Sequence, residues 1–119
     1  MIARILAVDD EQAITQMLFF VLSVLGCTFV AVSSVKEALC KVAAQNFDVV
    51  ITDNNMPELD GLQLVRSLRE RNFPGKIVVL SGYLNEKNRA AYDALAVDKM
   101  IPKPFDVEQL RREIASLAA

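Results

Sequence analysis

Apolar and polar residues follow one another in blocks that predict five strands, each followed by a helix. The strands are predicted at Arg4–Val8, Cys27–Val32, Asp48–Thr52, Lys76–Leu80 and Asp98–Ile101. The helices are predicted at Glu11–Leu25, Ser34–Gln45, Asp60–Asn72, Asn85–Leu95 and Asp106–Leu117. Strand starts recur roughly every 20 to 30 residues, the length of a βα unit with short loops.

This alternation predicts an α/β fold. Strands one, three and four are nearly continuous aliphatic runs, which suit a parallel sheet covered by helices on both faces. We predict five parallel strands in the order 2-1-3-4-5, the flavodoxin-like (βα)5 arrangement, with strands one and three adjacent. Ligands bind beyond the carboxyl ends of the strands at such a switch point. The length of 119 residues predicts a single domain, residues 1–119.

Polar side chains follow four of the predicted strands at this edge of the sheet. Asp9 and Asp10 follow strand one, Asp53 follows strand three, Ser81 strand four and Lys103 strand five. Each residue taken singly has an ordinary explanation, such as a helix cap, a turn or a solvated loop position. Together, three neighbouring carboxylates would repel one another unless a cation lay among them. Oxygen ligands favour Mg²⁺, with Mn²⁺ as the alternative.

These groups are suited to phosphoryl transfer onto a carboxylate. Asp53 is the best nucleophile because its strand is central, and Asp9 and Asp10 would hold the metal. Lys103 would pair with a carboxylate or a phosphoryl oxygen, and Ser81 would hydrogen-bond the phosphoryl group. The sequence has no GxxxxGK[ST] loop, so ATP is not the evident donor.

Composition narrows the classes of function. A net charge of −2 with scattered Lys and Arg argues against nucleic-acid binding, and no apolar run is long enough to span a membrane. No signal-peptide pattern is visible, so we expect a cytoplasmic protein. Histidine is absent, which excludes the usual Ser-His-Asp and Cys-His sites and means that any phosphohistidine belongs to another molecule. Cys27 and Cys40 are expected to be buried, reduced thiols.

At these residues the sequence resembles the receiver domain of two-component response regulators. The matching segments are VDDE (8–11), DNNMPELDG (53–61), SGY (81–83) and KPF (103–105). The four segments together are highly specific, and the resemblance covers essentially the whole chain. It implies that Asp53 accepts phosphate from a phosphohistidine of a sensor histidine kinase or histidine phosphotransfer protein. It also implies that Mg²⁺ binds Asp9, Asp10, Asp53 and the backbone carbonyl of Asn55.

The resemblance further implies a phosphate-sensing role for Ser81 and a cis Lys103–Pro104 peptide bond. One position departs from the family pattern. Met100 stands three residues before Lys103, where the family often has the Tyr or Phe that moves with the phosphate-sensing residue. Phosphorylation is therefore better supported than this switching geometry. Tyr83 is a candidate substitute for the aromatic, and a partly exposed loop side chain is the alternative.

The first predicted helix carries apolar residues on more than one face. The core stripe is formed by Ile14, Met17, Leu18, Val21, Leu22 and Leu25. Phe19, Phe20 and Val24 lie off that stripe and predict an exposed apolar patch. In the family this helix docks on the helical phosphodonor, which makes partner binding the functional interpretation. Contact with a second copy, as in a phosphorylation-dependent dimer, and folding of these side chains back over the domain are the alternatives.

Two other functions remain as alternatives. The first is a non-phosphorylated interaction scaffold that keeps only the fold, although the complete acidic set counts against it. The second is an aspartyl phosphatase of the haloacid dehalogenase type, which needs an Asp two residues after the nucleophile, where this chain has Asn55. We expect a signalling domain that assists its own phosphorylation and dephosphorylation. Whether it acts alone or within a larger regulator or hybrid kinase stays open.

Overall fold

All five predicted strands and five predicted helices are present, with every boundary within two residues of its predicted position. The computed structural model describes residues 3–54, 61–82 and 86–118. The strands are β1 (Arg4–Val8), β2 (Thr28–Val32), β3 (Val49–Asp53), β4 (Lys76–Ser81) and β5 (Lys99–Pro102). The helices are α1 (Gln12–Ser23), α2 (Val35–Ala44), α3 (Gly61–Glu70), α4 (Glu86–Ala94) and α5 (Val107–Ala118).

The strands form one parallel sheet in the order β2-β1-β3-β4-β5, which confirms the predicted topology. Its register brings the carboxyl ends of the strands level with one another. Val8 pairs with Thr52, and the next residue of β3, Asp53, pairs with Leu80. The last residue of β4, Ser81, pairs with Pro102. Residues that follow β1, β3, β4 and β5 are therefore delivered to the same edge.

Helices cover both faces of the sheet because alternate strand residues point to opposite sides. Leu6 and Val8 join a buried cluster with residues of α2, α3 and α4. Ile5 and Ala7 join a second cluster with residues of α1 and α5. The central strand β3 is buried along its whole length. A sheet buried on both faces is what the continuous aliphatic runs predicted.

The α1 helix ends earlier than its apolar pattern predicted. It stops at Ser23 rather than Leu25, and the chain turns through Gly26, whose φ of +72° is readily available to glycine. Leu25 lies beyond the helix and is 36% exposed, so its predicted place in the core stripe was wrong. None of the helices that the structure describes has the length and hydropathy needed to cross a bilayer.

The α2 helix begins as predicted and corrects one cysteine assignment. The Ser34 hydroxyl accepts a hydrogen bond of 3.1 Å from the Glu37 N–H and so caps the helix at its predicted first residue. Both cysteines are free thiols. Cys27 is partly buried, but Cys40 is exposed on α2. The expected burial of Cys40 was wrong because its position on the helix faces away from the residues that pack on the sheet.

At the amino end of the sheet, aspartates bind the backbone of strands. An Asp48 carboxylate oxygen accepts a 2.8 Å hydrogen bond from the Arg4 N–H, and Asp98 accepts one of 2.8 Å from the Ile77 N–H. Both acceptors lie just before a strand, beside the first residues of its neighbour. These bonds satisfy amides at the beginning of β1 and near the beginning of β4 and fix where those strands begin.

Candidate functional site

The three predicted carboxylates meet at the carboxyl edge of the sheet. Asp9 and Asp10 directly follow β1, and Asp53 ends the neighbouring strand β3. One oxygen of each carboxylate lies within 4.8 Å of those of the other two. Asp9 and Asp53 are buried, whereas Asp10 is exposed. The cluster therefore has an enclosed side and a side open to solvent.

Lys103 reaches into this cluster from the segment after β5. Its ammonium nitrogen lies 3.0 Å from Oδ1 of Asp53 and 3.6 Å from Oδ2 of Asp9. Its backbone N–H donates a 2.7 Å hydrogen bond to the carbonyl of Ser81, which anchors the segment beside β4. The Lys103–Pro104 peptide bond is cis, as the resemblance implied. We call Asp9, Asp10, Asp53 and Lys103 the acidic pocket.

Ser81 lies at the same edge as the acidic pocket. It is the last residue of β4 and is buried. The β4 strand pairs with β3 on one side, where Asp53 lies opposite Leu80, and with β5 on the other. Met100 lies on β5 paired with Val79, partly buried, and packs against the core cluster on the α2–α4 face. Their sensing and switching roles remain predictions. The predicted roles of Asn55 and Tyr83 lie outside the described residues.

The pocket perturbs its own charged groups. Burial raises the pKa of Asp9 to about 6, and the negative charges of Asp53 and Asp10 also raise it. The Glu11 N–H, which donates a 2.9 Å hydrogen bond to Asp9, and the charge of Lys103 oppose that rise. Burial lowers the pKa of Lys103, but the hydrogen bond and charge of Asp53 and the charge of Asp9 outweigh it and raise that pKa. The surroundings of Asp9 therefore disfavour its negative charge, despite the Glu11 N–H and the nearby Lys103 ammonium.

The residues present fit a hard divalent cation. Oδ2 of Asp9 is buried and has no hydrogen-bond partner among the residues that the structure describes. A buried carboxylate oxygen without a donor is unfavourable unless a cation supplies the missing charge. The oxygens of Asp53 and the exposed Asp10 lie beside it. Such an all-oxygen set with an open side suits Mg²⁺ or Mn²⁺, which retain waters or take phosphate oxygens as further ligands.

A buried tyrosine beneath the pocket was missed from the sequence. The Tyr92 hydroxyl donates a 2.5 Å hydrogen bond to the side-chain carbonyl of Asn54, the residue after Asp53. Both residues are buried. The available signal was that α4 is polar around a single large aromatic residue. The contact spans 38 residues of sequence, and no local pattern predicts it.

The predicted apolar patch on α1 is exposed. Phe20 is 72% exposed, Val24 is 68% exposed and Phe19 is 50% exposed. The Phe19 ring packs edge-on against Phe29 of β2, with ring centroids 5.7 Å apart, which explains its lower exposure. A shallow groove of about 250 Å³ lies beside these rings, between α1 and β2. We call Phe19, Phe20 and Val24 the α1 patch; its role as an interface remains a prediction.

Comparison with known proteins identifies the family of the chain. The response regulator receiver domain model matches residues 5–115. Response regulator MprA of Mycobacterium leprae is 37% identical over 114 residues, covering 96% of this chain and 50% of that protein. MprA of Mycobacterium ulcerans is 35% identical over 117 residues, covering 98% of this chain and 50% of that protein. The chain thus spans about half the length of these curated relatives.

Solved structures agree with this assignment. Chemotaxis protein CheY4 of Vibrio cholerae has a TM-score of 0.90 at 28% identity, over 98% of this chain and 99% of that chain. Response regulator TrrA of Thermotoga maritima, solved in complex with Mg(2+)-BeF, has a TM-score of 0.86 at 31% identity, over 98% and 99% of the two chains. Sequence, topology and pocket agree, and the chain belongs to the response regulator receiver domain family of two-component signalling.

Proposed function

We propose that the chain is a phosphoacceptor switch in which Asp53 receives a phosphoryl group from a partner's phosphohistidine. The partner is a sensor histidine kinase or a histidine phosphotransfer protein. The observation that carries the proposal is the pairing of Lys103 with Asp53 beside the buried Asp9 oxygen that has no hydrogen-bond partner among the described residues. A lone ion pair would stabilise the fold without needing the additional buried carboxylate.

The transfer exchanges one bond to phosphorus for another. A carboxylate oxygen of Asp53 attacks phosphorus, the N–P bond of the donor breaks, and its electron pair stays on the imidazole nitrogen. Lys103, 3.0 Å from Asp53, is placed to pair with the phosphoryl oxygens, and the buried Ser81 would donate a hydrogen bond to one of them. Attack by water on phosphorus later releases inorganic phosphate and restores Asp53.

The proposed metal ligands are Asp9, Asp10, Asp53 and the backbone carbonyl of Asn55. A bound Mg²⁺, or Mn²⁺, supplies positive charge that neutralises the phosphoryl oxygens. The related TrrA structure in complex with Mg(2+)-BeF supports this assignment. The place of Asn55 rests on the resemblance because that residue lies outside the described part of the chain. Phosphorylation would then change the surface shown to partners, which makes the chain a signalling domain rather than an enzyme acting on external substrates.

The α1 patch is the proposed docking surface for the helical phosphodonor. Phe19 and Phe20 lie on α1 and Val24 directly follows its last residue, and α1 itself follows the metal-ligand pair Asp9 and Asp10, so a partner bound there lies on an element that leads from the pocket. A second copy of the chain is the alternative occupant. Two free thiols fit a reducing compartment, and we place the protein in the cytoplasm.

The central test is intact-mass measurement after incubation with Mg²⁺ and acetyl phosphate. We expect one added phosphoryl group on the wild type, none on Asp53→Asn, and none when Mg²⁺ is removed by a chelator. Asp48→Asn is the matched control, because it makes the same change at the opposite end of β3. It should be phosphorylated like the wild type. A folded wild-type protein that gains no phosphoryl group would contradict the proposal and favour the scaffold interpretation.

The docking surface needs a separate test. Phe19→Ser with Phe20→Ser should slow phosphotransfer from a panel of phosphorylated histidine kinase domains by at least about tenfold, because hot-spot aromatics dominate such interfaces. Phosphorylation by acetyl phosphate should stay unchanged. A collapse of the melting temperature would show that the two rings belong to the core, and a change only in self-association would assign the surface to a second copy.

A further inference from the structure

The α4 helix places one fully buried side chain in the domain. Tyr92 is the only residue of Glu86–Ala94 that is buried, and it is fully inaccessible. The other eight positions of the helix are exposed or only partly buried. The contacts of Tyr92 therefore help to fix where α4 lies. Its ring packs in the core cluster, and its hydroxyl reaches the side chain of Asn54, at 2.5 Å.

Asn54 is a junction between the acceptor strand and three other elements. Its backbone N–H donates a 3.0 Å hydrogen bond to the Leu80 carbonyl of β4, and its own carbonyl accepts one of 3.0 Å from the N–H of Gly61 at the start of α3. Its side chain accepts the hydrogen bond from Tyr92 of α4. Because Asn54 is covalently joined to Asp53, these three hydrogen bonds connect the acceptor to β4, α3 and α4.

Gly61 makes this convergence possible. A methyl group at position 61 would lie 2.3 Å from the Asp53 carbonyl oxygen, 3.0 Å from the Tyr92 hydroxyl oxygen and 3.1 Å from the Asn54 Cα. Gly61, at the start of α3, is thus in close contact with both the end of β3 and the Tyr92 side chain of α4. Densely packed groups shift together rather than independently.

The residue that the family resemblance assigns to coupling is methionine here. Met100 carries no hydroxyl and no ring, and it packs in the same core cluster as Tyr92. Tyr92 supplies both missing features, an aromatic ring and a hydroxyl, and enters the same region from α4 instead of β5. The chain therefore retains a hydroxylated aromatic next to the acceptor, at another position of the fold.

We infer that Tyr92 is a positioning residue that couples α4 to the acidic pocket through its hydrogen bond to Asn54. This inference rests on the proposed function, since the ligands of the pocket are Mg²⁺ and the phosphoryl group on Asp53. By linkage, a ligand in the pocket alters the stability of α4, and a partner that binds α4 alters the affinity of the pocket by the same factor.

The test uses Mg²⁺ with beryllium fluoride, a non-covalent stand-in for the phosphoryl group. Hydrogen exchange of backbone amides in residues 86–94 is measured with and without the ligand, in the wild type and in Tyr92→Phe. We expect the ligand to change wild-type exchange by about fivefold or more, as typical coupling energies give. In Tyr92→Phe, which keeps the ring, the ligand effect should fall below about twofold while the ligand still binds.

Three comparisons decide the outcome. Tyr83→Phe makes the same change at the other tyrosine of the chain, the rival candidate for the switch aromatic, and should leave the coupling intact. Asn54→Ala removes the acceptor of the same hydrogen bond and should also abolish the coupling. The double variant, Asn54→Ala with Tyr92→Phe, should lose no more of the coupling than either single variant does. A purely structural bond would loosen α4 equally with and without ligand, which would overturn the inference. Coupling lost in Tyr83→Phe and kept in Tyr92→Phe would also overturn it.

Failure of the inference can be told apart from failure of the proposed function. A wild type that binds neither Mg²⁺ nor beryllium fluoride would overturn the phosphoacceptor proposal, and the coupling with it. A wild type that binds both and is phosphorylated on Asp53, but whose α4 exchange responds identically in Tyr92→Phe, would overturn the coupling alone.

Discussion

Aspartates gather at both ends of the sheet, and they are used in opposite ways. At the amino end, Asp48 and Asp98 each accept a backbone N–H at 2.8 Å. At the carboxyl end, Asp9 and Asp53 are buried beside each other with Lys103, and one Asp9 oxygen has no hydrogen-bond partner among the described residues. The amino-end carboxylates stabilise the sheet. Those at the carboxyl end are held close together at a cost to stability.

The difference shows how a structural carboxylate can be distinguished from a functional one. A carboxylate whose neighbours are amide and cationic donors has its charge compensated within the fold, but Asp9 shows that one amide donor, the Glu11 N–H, does not suffice when other carboxylates lie beside it. A carboxylate crowded by other carboxylates leaves charge to be compensated by a ligand. Burial alone does not separate the two groups, because the partners of each oxygen decide what the group can do.

The largest expected effect is a pH dependence specific to Asp9. Its pKa in the folded protein is about 6 against an ordinary 3.8, so the folded state binds more protons between these values. Without Mg²⁺, the stabilisation from protonated Asp9 is fully present below pH 3.8 and is lost as pH rises through 6, by up to about 3 kcal/mol. Urea unfolding of the wild type and Asp9→Asn across this range measures it. Asp98→Asn should retain the pH dependence assigned to Asp9; an unchanged profile in Asp9→Asn would refute the assignment.

A second pair of variants replaces two glycines that pack beside the ends of β3, Gly61 near Asp53 and Gly75 near Asp48. A Cβ at Gly61 would lie 2.3 Å from the Asp53 carbonyl oxygen, and one at Gly75 would lie 2.7 Å from that of Asp48. Each alanine substitution should destabilise the protein by about 1–3 kcal/mol through overpacking against backbone. Only Gly61→Ala should also weaken Mg²⁺ binding, measured by titration calorimetry. Equal losses of Mg²⁺ affinity in both variants would show that the affinity follows the overall stability of the protein and not the packing beside Asp53.

A smaller effect is expected from Asp98→Ala at the amino end. The substitution removes the hydrogen bond from the Ile77 N–H and the 3.9 Å ion pair with Lys76. Since the ion pair is largely exposed, we expect a loss of about 1 kcal/mol, mostly from the hydrogen bond. Denaturant unfolding measures the loss, and acetyl phosphate labelling of Asp53 should be unchanged. Weaker labelling of Asp53 in a variant of unchanged stability would mean that the amino end of the sheet affects the acidic pocket.

The smallest expected effect is a gain in stability from Ala96→Gly. Ala96 follows α4 with φ of +57°, a conformation that favours glycine, and its carbonyl accepts a 2.8 Å hydrogen bond from Arg69. Relief of the strained backbone should exceed the entropy that glycine adds to the unfolded chain, a net gain of about 0.5 kcal/mol. Thermal unfolding checks it, with Ala90→Gly, at an exposed position inside α4, as a control that should destabilise. A loss in both variants would show that entropy dominates.

The sequence predicted the elements of the fold because its apolar periods are strong and its breaks are sharp. The β1 boundaries, Arg4–Val8, were predicted without error, and the sheet order followed from the βα alternation. The acidic pocket could be predicted because its members lie at strand ends, and a parallel sheet brings such ends together. The resemblance contributed the cis bond before Pro104, which no local pattern of charge or hydropathy shows.

What the sequence did not predict depends on contacts between distant segments. The Tyr92–Asn54 hydrogen bond joins two residues whose own neighbourhoods look unremarkable: a polar helix and a loop. Cys40 lies in an apolar stretch, but helical rotation turns it toward solvent, and Leu25 leaves the α1 stripe because Gly26 ends the helix early. In each case tertiary geometry, not composition, decided the outcome.

The outward direction of the α1 patch also has a consequence for how such proteins diversify. Phe19, Phe20 and Val24 share no residue with the acidic pocket, and most of their surface contacts solvent rather than core. Substitutions there leave the chemistry of Asp53 and the packing of the sheet largely untouched. Under the proposed function, a copy of this chain could acquire new partners after gene duplication through a few changes at this surface while inheriting the proposed phosphoryl chemistry.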